Sequence, residues 1–442
     1  MTGREFAERL VNEGLDPAEA PAKARLHDRA VEALIGTGNA SRAWWVPGRL
    51  ELFGKHTDYA GGRTVVAAVP RGFVFVATPR SDNEISVVDA GTGEQVSLGH
   101  DGARFSGWRH YVDVAASRLR RNFPESSGGV TIAFVSDLPR ASGMSSSSAL
   151  VVGIATALIE RWRLPARDEW QHNIRDSCDL ASYFACVENG SAFGTLTGDT
   201  GVGTHGGSED HVAMLLALAG HFSAYAFAPV RHIRNVRLPC DWSLVVASSG
   251  VAAEKTGAAQ RAYNHLVEAS RVLLQLWNEH EPWADSLAAA LASDESAAGR
   301  LAELIRQNVV AGWSSEDLQR RLLHFQSEDA CVLAAVNAVD QNDADTLTEI
   351  STLSQRNAEQ LLRQQVPQTS ALAEAARFCG AFAACSFGAG FGGSVWALVE
   401  RDRADAFAAA WLAQYRARYD APGAAVFTAL PGPALTEVRS SR

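Results

Sequence analysis

The 442-residue chain has no apolar segment long enough to span a bilayer, and residues 1–6 contain no apolar signal region. It also has no run of Lys or Arg, and it carries a net charge of −10. An acidic chain without a basic patch is a poor binder of nucleic acid. We therefore expect a cytoplasmic protein with neither a membrane nor a nucleic-acid partner, while the sequence leaves any protein partner unknown.

Cysteine is scarce, and none of the six cysteines forms a CxxC pair. This spacing argues against a zinc site or a disulfide framework and predicts buried, reduced thiols that act as small hydrophobic side chains. No internal repeat or low-complexity linker divides the chain. With 47% hydrophobic and 20% charged residues, the composition is that of a globular protein with room for two or three domains.

Hydrophobic periodicity predicts a mixture of helices and strands. Helix is predicted over 3–36 with a break near Asp16 and Pro17, after Trp108, over 148–161 and 167–188, and through most of 254–380. Strands are predicted at 43–46, 63–69, 72–78, 84–89, 130–135, 222–228 and 243–248. The C-terminal part is predicted as a βαβ-type unit, with strands at 382–387, 394–399 and 424–428 and a helix at 403–418. We place a domain boundary between residues 230 and 231.

The segment 388–393, GAGFGG, matches the dinucleotide-binding pattern GxGxxG. That motif requires a helix after the loop, but residues 394–399 have the pattern of a strand. Because no helix N-terminus is present to bind a pyrophosphate, a dinucleotide-binding fold is rejected. Two interpretations stay open: a hairpin turn without a ligand, or a turn whose backbone closely approaches a ligand or another loop.

A serine-rich loop over 142–148 follows a predicted strand and begins a helix. This arrangement directs free N–H groups and the positive end of the helix dipole towards an anion. No GxxxxGK[ST] motif occurs, so the loop is not a Walker A loop. Helix capping by serine is the alternative, but four consecutive serines exceed what a cap needs, which favours phosphate binding.

A third loop, residues 201–207, contains four glycines and leads to Glu209 and Asp210 at a predicted helix start. The pair could serve only as a helix cap. An aspartate in this position could also accept a proton from a substrate hydroxyl group.

Residues 47–62, PGRLELFGKHTDYAGG, place charged and polar side chains on glycine-bounded turns, which is typical of ligand binding. Together with the serine loop and the GAGFGG loop, in this order, the segment resembles the signature of the GHMP kinase family, most closely its galactokinase branch. The resemblance covers about residues 44–428. It implies an α+β fold of two domains with mixed sheets flanked by helices. It also implies ATP-dependent phosphorylation of the anomeric hydroxyl group of a sugar, by default galactose, with Mg²⁺ as cofactor.

The resemblance further implies a role for individual residues. Arg49 would stabilise the transferring phosphoryl group and Asp210 would orient or deprotonate the attacking hydroxyl. Ser147 and Glu188 would bind Mg²⁺, although Glu188 lies farther from Asp210 in sequence than is usual. The serine-loop residues that would bind ATP are Ser142, Gly143, Ser145, Ser146, Ser147 and Ser148.

Trp108 resembles an aromatic residue that flanks adenine, with an ordinary core tryptophan as the alternative. His56 and Asp58 match sugar ligands. Tyr263 resembles a tyrosine near the sugar, with a tyrosine packed between helices as the alternative. Gly390, Gly392 and Gly393 would support the active-site loops from the second domain.

Two positions depart from the galactokinase pattern: Glu51 replaces an Asn and Lys55 replaces a Glu that accepts a hydrogen bond from the sugar. A lysine ammonium group only donates. Either Lys55 binds an anionic or altered group on the substrate, or Lys55 and Glu51 form a structural pair turned away from the sugar.

A uronic acid, a pentose or a cyclitol is therefore an alternative substrate. A catalytically silent sensor of sugar and ATP is the alternative from another class of protein. That alternative predicts damage to the serine loop, Arg49 or Asp210, and all three are intact.

Overall fold

The computed structural model describes residues 1–34, 42–98, 105–139, 142–253 and 257–439. Its strands are β1 (Arg42–Phe53), β2 (Arg63–Pro79), β3 (Ile85–Asp89), β4 (Gln95–Leu98), β5 (Val130–Ser136), β6 (His221–Ala226), β7 (Arg231–Arg237), β8 (Trp242–Ser248), β9 (Ala383–Ser386), β10 (Ser394–Glu400), β11 (Ala425–Thr428) and β12 (Thr436–Arg439). Its helices are α1 (Gly3–Asn12), α2 (Ala20–Glu32), α3 (Trp108–Asn122), α4 (Ser146–Trp162), α5 (Asp168–Asn173), α6 (Ser177–Asn189), α7 (Glu209–Leu216), α8 (Gly257–His280), α9 (Leu287–Leu291), α10 (Ala297–Gln307), α11 (Ser315–Asp340), α12 (Ala344–Asn357), α13 (Pro367–Phe378) and α14 (Ala404–Arg418).

The larger sheet is built on two long antiparallel strands, β1 and β2. Strands follow the order β12-β1-β2-β5-β3-β4, and β6 pairs with both β2 and β7. The sheet is mixed because β3 runs parallel to β5 while the other neighbours are antiparallel. The first part of β2 pairs with β6 and its last part with β5, so this one strand joins two sections of the sheet.

The smaller sheet has the order β11-β8-β10-β9 with antiparallel neighbours. Since β10 and β11 both run antiparallel to the β8 strand between them, they are parallel to each other, with α14 as the connection. This confirms the βαβ-type unit. The α13 helix packs beside α14, and Trp411 donates a hydrogen bond from Nε1 to the carbonyl of Leu372 at 2.9 Å.

Alternating residues of β1 face two different hydrophobic clusters. Trp44 and Val46 face the main core, whereas Trp45 packs in a second cluster with Phe6 of α1. Helix α1 begins with a capping box in which the Thr2 side chain and Glu5 satisfy each other's backbone N–H groups. Helix α4 packs against β1, β2 and α3, with buried residues on most of its sides, as its apolar sequence predicted.

The long helix α11 joins the helices that precede it, α8, α9 and α10, to the larger sheet. Its N-terminal part packs in a cluster with Leu273, Trp277 and Leu301, and its middle reaches the loop after β1. Ser314 caps the helix by accepting a hydrogen bond from the N–H of Asp317 at 3.0 Å. Within the described part of the chain, no helix is long and apolar enough to cross a membrane.

Several predicted elements differ from the observed ones. The two strands predicted over 63–69 and 72–78 form the single strand β2, and the helix predicted over 167–188 is divided into α5 and α6. Asp176 ends that interruption by capping α6. The pattern gave no sign of β4, β7 or β12. The predicted helical residues 35–36 and 254–256 lie outside the described ranges.

The cysteines were predicted to be buried, and only Cys331 and Cys385 are. Cys240 is exposed, and Cys178, Cys186 and Cys379 are partly buried. Burial raises the pKa of the Cys331 thiol to about 12, so it stays protonated and acts as a small hydrophobic group.

The boundary predicted between residues 230 and 231 falls between β6 and β7, two strands of one hairpin. The C-terminal β12 also returns to the larger sheet by pairing with β1. We therefore propose that the two halves are better divided between β7 and β8, with β12 belonging to the first half.

Candidate active site

A polar cleft lies where the end of β1, the loop after it, the start of α7 and the GAGFGG loop meet. The residues that line it are Arg49, Glu51, His56, Asp58, Tyr59, Ala185, Glu188, Asn189, Thr204, Gly206, Gly207, Glu209, Asp210, His211, Tyr263, Gly388 and Ala389. The lining thus includes five carboxylate side chains. Elements from both halves of the chain contribute to it.

Arg49 and Asp210 are in direct contact at the centre of the cleft. Arg49 Nε donates to Asp210 Oδ1 at 2.5 Å, and Arg49 Nη1 donates to the carbonyl of Gly143 at 2.7 Å. The two residues are 161 positions apart in sequence. The fold therefore joins the predicted phosphoryl-stabilising cation and the predicted catalytic carboxylate in one charge-assisted pair.

Arg49 is almost completely buried, and carboxylates surround it. Burial alone would lower its pKa, but the charges of Asp210 and Glu209 raise it above the ordinary value. The guanidinium group is therefore positive at any relevant pH. Its hydrogen bonds to described residues use Nε and Nη1, which leaves further donors for an anionic ligand.

The serine loop ends beside this pair. Ser145 has a left-handed backbone conformation with φ 57°, and α4 begins at the next residue. Ser148, in the first turn, donates from Oγ to Asp210 Oδ2 at 3.2 Å. The predicted phosphate-binding helix N-terminus, which includes Ser146 and Ser147, is thus adjacent to Asp210.

The GAGFGG loop packs directly against the serine loop. Ser394 Oγ donates to the carbonyl of Ser142 at 2.6 Å. Gly393 has φ 91°, and a Cβ atom there would lie 3.3 Å from the carbonyl oxygen of Ser142. Gly390 and Gly392 also have positive φ values, with Gln364 and Val251 as neighbours. These contacts agree with a close approach to another loop, one of the two open interpretations.

Three of the predicted sugar-binding residues line the cleft. His56 has φ 57°, and its Nδ1 lies 2.8 Å from the hydroxyl of Tyr59. Asp58 Oδ2 accepts a hydrogen bond from the N–H of Glu209 at 3.1 Å. This bond links the loop of residues 54–62 between β1 and β2, here called the signature loop, to the start of α7. The Tyr263 ring contacts the His56 ring with 5.3 Å between centroids.

Lys55, the fourth predicted sugar-binding residue, does not reach the cleft. Its side chain is fully buried, and Nζ donates to Ser354 Oγ at 2.6 Å and to Glu328 Oε1 at 3.2 Å. Glu328 also accepts hydrogen bonds from the N–H groups of Gly54 and Lys55. The assignment of Lys55 to the substrate is therefore corrected.

The alternative interpretation of Lys55, a structural pair with Glu51 turned away from the sugar, is correct in part: the side chain is turned inward, but its ion-pair partner is Glu328 of α11, and the Glu51 charge has a smaller effect on its pKa. Burial alone would lower the pKa of Lys55, but the neighbouring Cys385 and Glu328 side chains raise it. The ammonium group is therefore charged and held inside the protein. Arg321, also from α11, donates a hydrogen bond to the carbonyl of His56, so α11 supports the signature loop at two points.

Sequence reasoning missed Glu51 and Glu209 as cleft residues. Glu51 lies two positions after Arg49 on β1, and residues at that spacing share a face of a strand. That spacing was the signal that could have identified it. Burial raises the pKa of Glu51 to about 7, and burial with the nearby Glu51 charge raises the pKa of Glu209.

Glu188, the predicted magnesium ligand, lines the cleft with its carboxylate 3.1 Å from Nε2 of His211. The described residues hold no group of three or more His, Cys, Asp or Glu side chains arranged for a metal ion. Binding of Mg²⁺ therefore stays a prediction of the family resemblance. A carboxylate and a helix-terminal serine hydroxyl are oxygen ligands of the required kind.

Trp108 is not among the cleft residues. It lies at the start of α3 with its ring edge against Phe134, 5.2 Å between centroids, and its Nε1 donates to Glu94 at 3.0 Å. The ring is partly buried at the margin of the main core. Its role beside adenine stays a prediction.

Three family models match the chain. The galactokinase galactose-binding signature matches residues 34–79, the GHMP kinases N terminal domain matches 110–207, and the GHMP kinases C terminal model matches 334–417. The signature segment contains Arg49, His56 and Asp58, and the N-terminal model contains the serine loop. The chain belongs to the GHMP kinase family of small-molecule kinases.

Curated relatives and solved structures agree with the family models. A galactokinase of Roseiflexus sp. (strain RS-1) is 27% identical over 364 residues, covering 82% of this chain and 84% of its own length. A galactokinase of Chloroflexus aurantiacus is 28% identical over 381 residues, covering 84% and 87%. The Lactococcus lactis galactokinase complexed with galactose has the same fold, with a TM-score of 0.75, 22% identity and coverage of 94% and 99%. A mevalonate kinase matches with a TM-score of 0.54, 14% identity and coverage of 88% and 98%.

Proposed function

We propose that this protein is an ATP-dependent sugar kinase that transfers the γ-phosphoryl group of ATP to the anomeric hydroxyl of galactose. The observation that carries the proposal is the Arg49–Asp210 pair at the N-terminus of α4, in a cleft that the galactose-binding signature lines. Galactokinase relatives that match over most of the chain support the choice of sugar.

In the proposed mechanism, the sugar binds between His56, Asp58 and Tyr263. Asp210 accepts a hydrogen bond from the attacking hydroxyl group and takes its proton as the new O–P bond forms and the bond to ADP breaks. Arg49 stabilises negative charge on the transferring phosphoryl group, and the N–H groups at the start of α4 bind the nucleotide phosphates.

Ser147 and Glu188 are the residues proposed to hold Mg²⁺. The ion would neutralise charge on the nucleotide phosphates when it is bound. A cytoplasmic location, and the absence of nucleic-acid and membrane partners, stay predictions of the sequence.

The positions of Lys55 and the cleft carboxylates argue against the uronic-acid alternative. Lys55 was the only reason to expect an anionic sugar, and its ammonium group is paired with Glu328 inside the protein. The silent-sensor alternative has no observation in its favour, since Arg49, Asp210 and the serine loop are both intact and in contact.

A coupled assay of ADP release with galactose, galacturonate, arabinose, N-acetylgalactosamine and myo-inositol tests the proposal. We expect galactose to give the highest kcat/KM of the panel. A higher value for any other compound would replace galactose as the substrate, and no sugar-dependent ADP release at all would contradict kinase activity.

A further inference from the structure

The side chain of Glu51 has one carboxylate oxygen that no described residue satisfies. The residue is only 2% exposed, and its Oε2 accepts a hydrogen bond from the N–H of Gly388 at 3.2 Å. Its Oε1 is buried and accepts no hydrogen bond from the described part of the chain. A buried acceptor without a donor costs free energy, and in a binding cleft a ligand can supply the missing donor.

The position of Glu51 makes such a ligand the acceptor sugar. Glu51 follows Arg49 by two residues on β1 and lines the same cleft as His56 and Asp58. The signature loop and the GAGFGG loop enclose this part of the cleft. A group bound to His56 and Asp58 would therefore lie within reach of the Glu51 carboxylate.

The charges around Glu51 define the kind of group that fits. Glu51, Asp58, Glu188, Glu209 and Asp210 line the cleft, whereas Arg49 is already paired with Asp210. Carboxylates in a poorly solvated site repel an acidic sugar, although the raised pKa values of Glu51 and Glu209 reduce the share of these two residues in that repulsion. Hydroxyl and ammonium groups are donors, so either could satisfy Glu51 Oε1.

We propose that Glu51 is a substrate-binding residue that accepts a hydrogen bond from the acceptor sugar and makes the cleft selective for neutral and amino sugars over acidic ones. This inference rests on the proposed sugar-kinase function. It assigns to Glu51 the acceptance of a sugar hydrogen bond, which in galactokinases belongs to the Glu at the position of Lys55.

The Glu51→Gln variant tests the contact directly. Its amide has one oxygen, and keeping that oxygen on the Gly388 N–H turns the NH₂ group, a donor, towards the sugar. At pH 8, above the Glu51 pKa of about 7, we expect the KM for galactose to rise about 10- to 100-fold, the loss typical of a hydrogen bond to a charged group. The KM for ATP and kcat should stay within about threefold, while Glu51→Asp should recover part of the lost affinity.

A purely structural role for Glu51 gives a different result. If Glu51 only holds Gly388, the variant should change the KM for ATP or the thermal stability and leave the KM for galactose unchanged. That outcome overturns the inference. The matched control is Glu374→Gln, a surface glutamate that pairs with Arg418 far from the described cleft residues, and it should leave all kinetic constants unchanged.

A substrate comparison tests the selectivity. With the wild-type chain, we expect kcat/KM for galacturonate to lie at least 100-fold below that for galactose, and galactosamine to be accepted. Comparable kcat/KM values for galacturonate and galactose overturn the inference.

Galactose binding without ATP, measured by calorimetry on the wild type and Glu51→Gln, separates the inference from the proposed function. Binding that Glu51→Gln weakens, in a chain that releases no ADP, supports the inference and contradicts the kinase. Active enzyme with equal galactose affinity in both forms contradicts only the inference. Absence of any sugar binding by the wild type contradicts both.

Discussion

At the residue scale, the chemistry depends on a cation and a carboxylate that are held together before any ligand arrives. Arg49 is fixed by hydrogen bonds to Asp210 and to the Gly143 carbonyl, and Ser148 contacts the other Asp210 oxygen. Side chains fixed in this way need little reorganisation during the reaction. This arrangement requires a left-handed backbone conformation at Ser145, which a serine adopts only at some cost in free energy.

The first prediction concerns Asp210. The Asp210→Asn variant should lower kcat by about 10²- to 10⁴-fold, because the amide cannot take the proton of the attacking hydroxyl. Binding of ATP, measured by calorimetry, should persist since the amide still fits the site. Asp241→Asn, an exposed aspartate on a turn before β8, is the control and should have wild-type kcat. Near-normal turnover of the Asp210 variant would contradict its catalytic role.

The second prediction concerns the pH dependence of stability at Glu51. Burial raises its pKa to about 7 from an ordinary value near 4.5. Between these two pKa values the folded state binds more protons than the unfolded state. The free energy of unfolding is therefore highest below pH 4.5 and falls as the pH rises through 7. The Glu51→Gln variant lacks this contribution. Its free energy of unfolding should fall about 1–3 kcal/mol less between pH 5 and pH 8 than that of the wild type.

Urea unfolding of both proteins at pH 5 and pH 8 measures this difference. Both proteins retain Glu209, but the Glu51 charge is one cause of its raised pKa, so the measured difference includes the change in Glu209 titration that the substitution brings. Equal losses of stability in the two proteins would show that Glu51 does not change its protonation in this range.

At the scale of elements, the helix α11 determines the shape of the signature loop. Glu328 accepts hydrogen bonds from the Gly54 N–H and from Lys55, and Arg321 donates to the His56 carbonyl. Helix α11, whose N-terminal part packs against α8, α9 and α10, thus holds the backbone next to His56 and Asp58. This gives a structural role to part of the 255–380 segment, for which the sequence left packing and a partner as open alternatives.

The third prediction concerns the buried Lys55–Glu328 pair. Either Lys55→Met or Glu328→Gln should reduce the free energy of unfolding by about 3–5 kcal/mol, because each leaves a buried charge without its partner. The double variant Lys55→Met/Glu328→Gln should lose much less than the sum of the two single variants. Urea unfolding of the four proteins measures the coupling. Strictly additive losses would contradict a direct interaction.

Elements whose sequence follows the period of a helix or strand could be predicted, and those held by neighbours could not. Helices α4 and α14 and strands β5, β8 and β10 follow their apolar patterns. Strand β7 is exposed at nearly every position, so it has no apolar alternation, and its conformation depends on hydrogen bonds to β6. β12 has only four residues and depends on pairing with β1.

At the scale of the whole molecule, the C-terminus completes the sheet that carries the site. Residues Thr436–Arg439 pair with the start of β1, the strand that holds Arg49 and Glu51 further along. The Leu435 N–H also donates to the Met214 carbonyl of α7, the helix that begins with Glu209. The last strand therefore ties together two elements of the cleft.

The fourth prediction follows from this arrangement. Removing residues 433–442 should lower the free energy of unfolding by about 3–6 kcal/mol, from lost strand hydrogen bonds and from the burial of Val438. The urea midpoint should fall. The control is Glu374→Gln, which changes an exposed residue of α13 and should keep the wild-type midpoint. Unchanged stability of the truncated chain would contradict the role of β12.

Lysine is nearly absent from this chain, which has three lysines and 37 arginines. Both lysines within the described ranges, Lys23 and Lys55, are fully buried in ion pairs between distant segments. Lys23 Nζ lies 2.5 Å from Asp137 Oδ2, which joins α2 to the end of β5. Lysine here serves to connect elements of the fold, in contrast to its usual place on protein surfaces.

By itself, the sequence determined the family, the three loops and the residues of the central pair, because those depend on residue type and order along the chain. Only the tertiary structure decided where the two unusual charges point. Lys55 turns inward because it pairs with Glu328, a residue 273 positions away that only folding brings close. Glu51 faces the cleft because β1 places it on the same side as Arg49. Side-chain direction depends on neighbours that folding brings together, and no local pattern records those neighbours.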